Sequence, residues 1–203
     1  MSMWPRPSSR KGRSRSSSMP CWTTWRARPS RRPSEVTGPS PETASRPACW
    51  RPARADDLPA ISAVLTDPAF FDVLGAVTPE ALAEACAPDG ARRLLAFDID
   101  GSLAAFAYLS GCDGDRPKLE EFAVLTRGRG TGTRALSALL EVLRAEGRAS
   151  FWLHVVPDNS RALALYRRLG FGREEVLPDF WQTRNGDRVD LLRLHYDFVP
   201  AGV

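Results

Sequence analysis

The stretch Arg127-Gly128-Arg129-Gly130-Thr131-Gly132-Thr133 constrains this chain more than any other. Three glycines alternate with polar residues there. An alternating segment ends just before it, near Leu125, and Leu136, Leu139, Leu140 and Leu143 follow it at helical spacing. A strand, a glycine-rich turn and an amphipathic helix, in that order, present amide N–H groups at a helix start, where the dipole favours an anion. Glycines let the backbone turn sharply and let a ligand come close to those amides. Arg127 and Arg129 add charge of the sign a pyrophosphate needs. The string is not a P-loop, because Thr133-Arg134 follows Gly132 where Lys-Ser/Thr is required. Nor is it a dinucleotide fingerprint, because Thr133 stands where the third glycine belongs. Taken by itself it reads equally well as a flexible loop ahead of a core helix.

The surrounding pattern predicts alternating strands and helices. A short strand near 48–54 leads to Asp56-Asp57, residues suited to capping a helix over 57–65. A second helix is expected over 79–86, with Thr78 as cap and Pro79 in its first turn. Strands follow at 93–98 and 102–110, joined by Asp100-Gly101, a strong hairpin signal. A strand over 118–125, a helix over 131–146 and a strand over 151–156 come next. Then come a helix over 159–169 closed by Gly170, and strands near 171–176 and 188–197. Hairpin-linked and crossover strands together make a mixed α/β domain.

Charge divides the chain. Residues 1–50 hold ten Arg or Lys and two acidic residues, whereas 51–203 hold eighteen and twenty-two. The basic balance therefore belongs to the head of the chain and gives no reason to expect nucleic-acid binding by the body. Residues 1–46, rich in Arg, Ser and Pro, have no apolar periodicity and are expected to be disordered. Three readings of that segment stand: a targeting or nucleic-acid-binding tail, a solvated linker, and a translation start placed too far upstream, which is preferred. Residues 47–203 form the expected domain. No apolar run approaches the roughly 20 residues that span a bilayer. The four cysteines form no CxxC pair, so neither a metal site nor a membrane is expected, and the location expected is cytoplasmic.

Downstream of the glycine loop stand Asn159-Ser160-Arg161-Ala162 and Tyr166-x-x-x-Gly170-Phe171. With Arg127-x-x-Gly130-x-Gly132, these resemble motifs B and A of the GNAT acetyltransferase superfamily, in the right order and over most of the body. The link from Val124 to Arg127 is shorter than in the family and tightens the loop. The resemblance implies an α/β GNAT fold: a mixed sheet of about six to seven strands with flanking helices, splayed where acetyl-CoA binds. It implies that Ala123, Val124 and Leu125 offer backbone groups to the pantetheine arm. The loop Arg127, Gly128, Arg129, Gly130, Thr131, Gly132 and Thr133 would hold the pyrophosphate, and Asn159 the pantetheine or thioester region. The acceptor, a primary amine of a small molecule or a peptide N-terminus, would attack the thioester directly, in a monomer or homodimer. The alternatives are an acyl-CoA-binding module without turnover and a nucleic-acid-binding protein working through its tail.

Amine attack requires a base, and the leaving sulfur requires a proton donor. Tyr166 matches the family tyrosine beside the sulfur. Alternation along 118–125 puts Glu120, Phe122 and Val124 on one face and Glu121, Ala123 and Leu125 on the other. Leu119-Glu120-Glu121-Phe122 is similar to the polyamine acetyltransferases, which implies Glu120 as base and Glu121 as an aid to binding a cationic acceptor. His154 is the second candidate base, at a position where the ribosomal-protein alanine acetyltransferases carry a glutamate. An ion pair of the glutamates with Lys118 or Arg116, and a packed core histidine, are the structural alternatives. Pro178-Asp179-Phe180-Trp181, ahead of the last strand, reads either as acceptor lining or as an ordinary packed loop.

Overall fold

Asp100 and Gly101 adopt left-handed φ values of 53° and 81°, as a two-residue hairpin turn demands. They join β2 (Arg93–Ile99) to β3 (Ser102–Ser110). The computed structural model describes residues 48–87, 90–126, 128 and 130–198. The segment 1–46 and the loop residues Arg127 and Arg129 lie outside the described residues. The further strands are β1 (Cys49–Pro52), β4 (Lys118–Val124), β5 (Ser150–Val155), β6 (Gly172–Gln182) and β7 (Arg188–Asp197). The seven form one sheet in the order β1-β2-β3-β4-β5-β7-β6.

Helices α1 (Leu58–Leu65) and α2 (Pro79–Glu84) cover one face. Their Ile61, Leu65 and Leu82 pack with Leu94, Ala96, Phe106 and Tyr108 of the sheet. Helix α3 (Thr131–Ala145) lies on the other face. There Trp50 donates its indole N–H to the Ala135 carbonyl at 2.7 Å and meets the Phe97 ring at 5.1 Å. Helix α4 (Ser160–Arg168) shares that face: Tyr166 packs on Phe171, and Phe171 on Phe151 and Tyr196, whose hydroxyl accepts from Arg144 of α3. Among the described residues no helix is long and apolar enough to cross a membrane.

Two features of β4 decide the site. Its parallel ladder with β5 holds only Lys118↔Trp152 and Leu119↔Leu153, so the two strands part beyond Leu119. On its other edge Leu119 faces Leu109 and Glu121 faces Tyr108, which leaves Glu120 as the extra residue of a β-bulge. The bulge overturns the expected alternation. Glu120 turns to Ser110 and Glu121 to the α1–α2 connection, so both lie on the α1–α2 face.

Three smaller expectations are also corrected. Asp57 does not cap α1 with its side chain. Pro59, at the second helical position, has no N–H to offer, and the carboxylate instead accepts from Arg51 at 2.6 Å and from the Arg54 amide at 2.7 Å. Strand β4 ends at Val124 and leaves Leu125 outside the ladder. Strand β6 continues to Gln182, so Pro178 to Trp181 lie within a strand. A second bulge between Leu177 and Trp181, with Asp179 at φ 49°, accommodates them.

Candidate functional site

Where β4 and β5 part, the sheet opens into a cleft of about 740 Å³. One end is closed by the start of α3. Gly128 and Gly130 take φ values of 98° and 69°, with Gly130 as the helix N-cap. These are backbone states that glycine adopts without steric cost. The buried Thr131 hydroxyl donates to the Gly128 carbonyl at 2.9 Å and fixes the turn. Gly132 and Thr133 follow in the first helical turn, where amides have no helical acceptor, and both line the cleft. Two cations not singled out from the sequence stand opposite. Arg161 and Arg168 of α4 line the same end, and Arg168 donates to the Thr133 hydroxyl at 2.8 Å. Their seven-residue spacing, two helical turns, was the available signal.

The middle of the cleft is the unpaired edge of β4. Past Leu119 its backbone groups on the β5 side face the gap rather than a neighbouring strand. Ala123 and Val124 line this stretch. Leu125 instead packs against the α1–α2 cluster. Asn159 lines the cleft too, but its Oδ1 accepts from the Ala162 amide at 3.2 Å as the N-cap of α4.

Four ionisable side chains meet at the other end. Glu121 is half-buried, and its Oε1 accepts from the Gly75 amide at 3.0 Å. Burial pushes its carboxyl up to about 7; the Gly75 hydrogen bond opposes that shift and the Glu120 charge adds to it. Tyr166 is buried, and burial together with the Glu121 charge raises its phenol above the ordinary value. Glu120 is bound to Lys118 at 2.5 Å and accepts from the Ser110 hydroxyl at 2.5 Å. His154 accepts from Arg193 at its Nε2, 3.3 Å away. Burial, then the charges of Lys118 and Arg193, push His154 down to about 4.

Contacts between distant segments build the rim at this end. Phe70 and Val73 of the α1–α2 connection line it. The β6–β7 turn is tied to that connection: Arg184 stacks on Phe71 at 3.7 Å and donates to the Leu65 carbonyl, and Asn185 donates to Asp72 at 2.5 Å. Phe180, exposed beside its bulge, lies 5.4 Å edge-on from His154. Among the described residues no three His, Cys, Asp or Glu side chains gather as a metal site would require.

The chain resembles known proteins over this same region. The family model described as "Acetyltransferase (GNAT) family" matches residues 59–171. The mycothiol acetyltransferase of Nocardia farcinica is 34% identical over 127 residues, covering 62% of this chain and 39% of that protein. The ribosomal protein bS18 alanine N-acetyltransferase of Escherichia coli is 32% identical over 99 residues, 47% of this chain and 66% of the relative. The chain thus spans well under half the length of the mycothiol acetyltransferases it matches. The spermidine N-acetyltransferase of Vibrio cholerae, solved with CoA and spermine, superposes with a TM-score of 0.64 at 18% identity over 74% of this chain and 95% of that one. With the family model matching more than half of its length, and a seven-stranded sheet split between β4 and β5, the chain belongs to the GNAT acetyltransferase family.

Proposed function

We propose that this protein transfers the acetyl group of acetyl-CoA to an amine, with Glu121 taking the proton of the amine and Tyr166 serving the departing sulfur. The observation that carries this reading is that a half-buried carboxyl, held by the Gly75 amide and raised to about 7, and a buried tyrosine line one end of a cleft whose other end is built for an anion. The residues present suit acetyl-CoA. Glycine-flanked amides with Arg161 and Arg168 would hold its phosphates, and the open β4 edge its pantetheine arm. Bound there, it supplies an acetyl group activated as a thioester.

Transfer forms an N–C bond and breaks the C–S bond. One proton must leave the nitrogen and one must reach the sulfur. Glu121 is poised for the first step, since a base works best with a pKa near the operating pH. Tyr166, protonated at rest, gives its O–H proton to the departing sulfur. The proton held on Glu121 restores the tyrosine, so both groups end as they began. Glu120 is a weaker candidate for the base because Lys118 and Ser110 already satisfy its carboxylate. His154 is weaker still: a guanidinium donates to it, and its low pKa makes it a feeble proton acceptor. The acceptor is a small-molecule amine or a peptide N-terminus.

Calorimetric titration with acetyl-CoA, followed by a CoA-thiol release assay across a panel of amines, amino acids and peptides, tests the reading. Binding at about 1:1 and thiol release that depends on the amine are expected. Binding without release would leave an acyl-CoA-binding module, and absence of binding would overturn the reading.

A further inference from the structure

Among the described residues, α1 and α2 pack on β2 and β3, and no helix covers that face of the sheet beyond β4. Alternation and register place Lys118, Trp152, His154, Arg193 and His195 side by side on it, through the pairs Trp152↔His195 and His154↔Arg193. Trp152 is the centre of this floor. Lys118 and Arg193 sit 5.2 and 5.3 Å from its ring centroid, His195 stacks on it at 6.3 Å, and His154 meets it edge-on at 5.2 Å. A second cleft of about 350 Å³ opens over it, lined by Arg116, Ser150, Trp152, Arg173, Arg193 and His195. It neighbours the first: His154 lines one and Trp152, two residues earlier on the same face, lines the other, and Arg193 of the second cleft donates to His154 of the first.

The charge around this second cleft is arranged, not merely present. Its ionisable lining is three arginines and a histidine, and among the described residues no carboxylate lines it. The nearby acids are partners of the cations: Asp197 takes an N–H of Arg173, Glu175 takes one of Arg193, and Asp115 lies 3.9 Å from Arg116. A guanidinium carries five donors, so these contacts orient the arginines without exhausting them. Arg116 and Arg173 remain largely exposed, with 73% and 65% of their side-chain surface accessible.

Resting on the acetyl-transfer reading, we propose that this second cleft receives an anionic group of the acceptor itself. The acceptor is then an amine carrying a carboxylate or phosphate about 10 Å from its nitrogen, the length of three strand residues from Glu121 to Lys118, which Trp152 faces. Planar atoms between the two ends would lie along His154 and Trp152, where Arg193 and Lys118 already show the aromatic surface to be usable by flat or charged groups.

The test compares ω-amino carboxylic acids and ω-amino phosphates of increasing length with the amide or alcohol of the same length, by thiol release. The wild-type chain should prefer the anionic member by at least about fivefold in kcat/KM, the size of a charge-assisted contact near the surface, with a maximum at the length that spans the two clefts. Whichever anion gives the larger ratio identifies the tail. In the double variant Arg116→Gln/Arg173→Gln the ratio should fall to about one, mainly through KM. A ratio near one at every length in the wild type, or a ratio that survives the double variant, overturns the proposal. If no amine is turned over, the transfer reading has failed. Calorimetry of the same pairs on the CoA-loaded chain then decides this point, since equal binding of anion and neutral partner overturns the proposal, and anion binding lost in the double variant supports it.

Discussion

Gly75 and Glu121 fit together because Gly75 has no side chain. The Gly75 amide donates to the Glu121 carboxylate at 3.0 Å, and a Cβ on Gly75 would stand 2.6 Å from that same Oε1. The α1–α2 connection therefore holds the carboxylate in place through its backbone. Gly75→Ala should push aside the flexible end of Glu121 and leave the fold alone. We expect turnover to fall by about 10- to 100-fold, the range in which small misplacements of a reacting group act. The melting temperature should move by no more than about 2 °C, and acetyl-CoA affinity should not change. Steady-state kinetics beside a thermal melt checks all three.

At the other end of the cleft, Gly130→Asp tests the anion site. Its added Cβ meets open space, and aspartate tolerates the left-handed φ of 69° better than most residues. A carboxylate at the helix start repels phosphates. Acetyl-CoA affinity measured by calorimetry should fall by about 100-fold or more, with the circular dichroism spectrum retained. Wild-type affinity in the folded variant would exclude this loop as the phosphate site.

Glu121 should also leave its mark on stability. Its folded pKa is raised, so the native state holds this proton to a higher pH than the unfolded chain does. The stability this contributes is full below about pH 4.5 and drains away as pH rises through 7. Above pH 8 the loss amounts to about 3 kcal/mol. Glu121→Gln cannot ionise. Urea unfolding should find it close to the wild type at pH 5 and more stable at pH 9. Equal stabilities at pH 9 would mean that the carboxyl ionises near its ordinary value.

How much of this was legible beforehand depended on the range of the interactions. The Gly130 turn, the leucine face of α3 and the Asp100-Gly101 hairpin are local, and residue type alone points to them. The spacing of Tyr166 to Gly170 and Phe171 pointed to its place on α4, where it lines the cleft. The bulge at Glu120 was not. It depends on how β4 registers against β3, a pairing between segments about ten residues apart that alternation cannot foresee. Gly75 was illegible for the same reason, because its meaning lies in a contact with a residue 46 positions away. Phe180 changed setting because Asp190 accepts the Asp179 amide at 2.9 Å and Arg188 donates to the Asp179 carbonyl. Those contacts carry a strand through a Pro-Asp pair that reads as a break.

Tyr166→Phe separates chemistry from packing. The ring and its contact with Phe171 remain, and only the hydroxyl is lost. Turnover should fall by about 100- to 10,000-fold, as for loss of an acid catalyst, with acetyl-CoA affinity nearly unchanged. Full activity in this variant would reduce Tyr166 to a packing residue.

The identity of the base is the central claim, and the pH dependence of kcat/KM for one amine tests it most directly in the wild type and in Glu121→Gln, Glu120→Gln and His154→Gln. The wild-type profile should rise through an inflection near 7. Glu121→Gln should lose that inflection and keep rising with pH, because only amine already deprotonated can react. Glu120→Gln should keep the inflection, moved slightly downward because the Glu120 charge no longer adds to the shift, and His154→Gln should keep it too. An inflection that survives in Glu121→Gln and disappears in Glu120→Gln or His154→Gln would contradict the account.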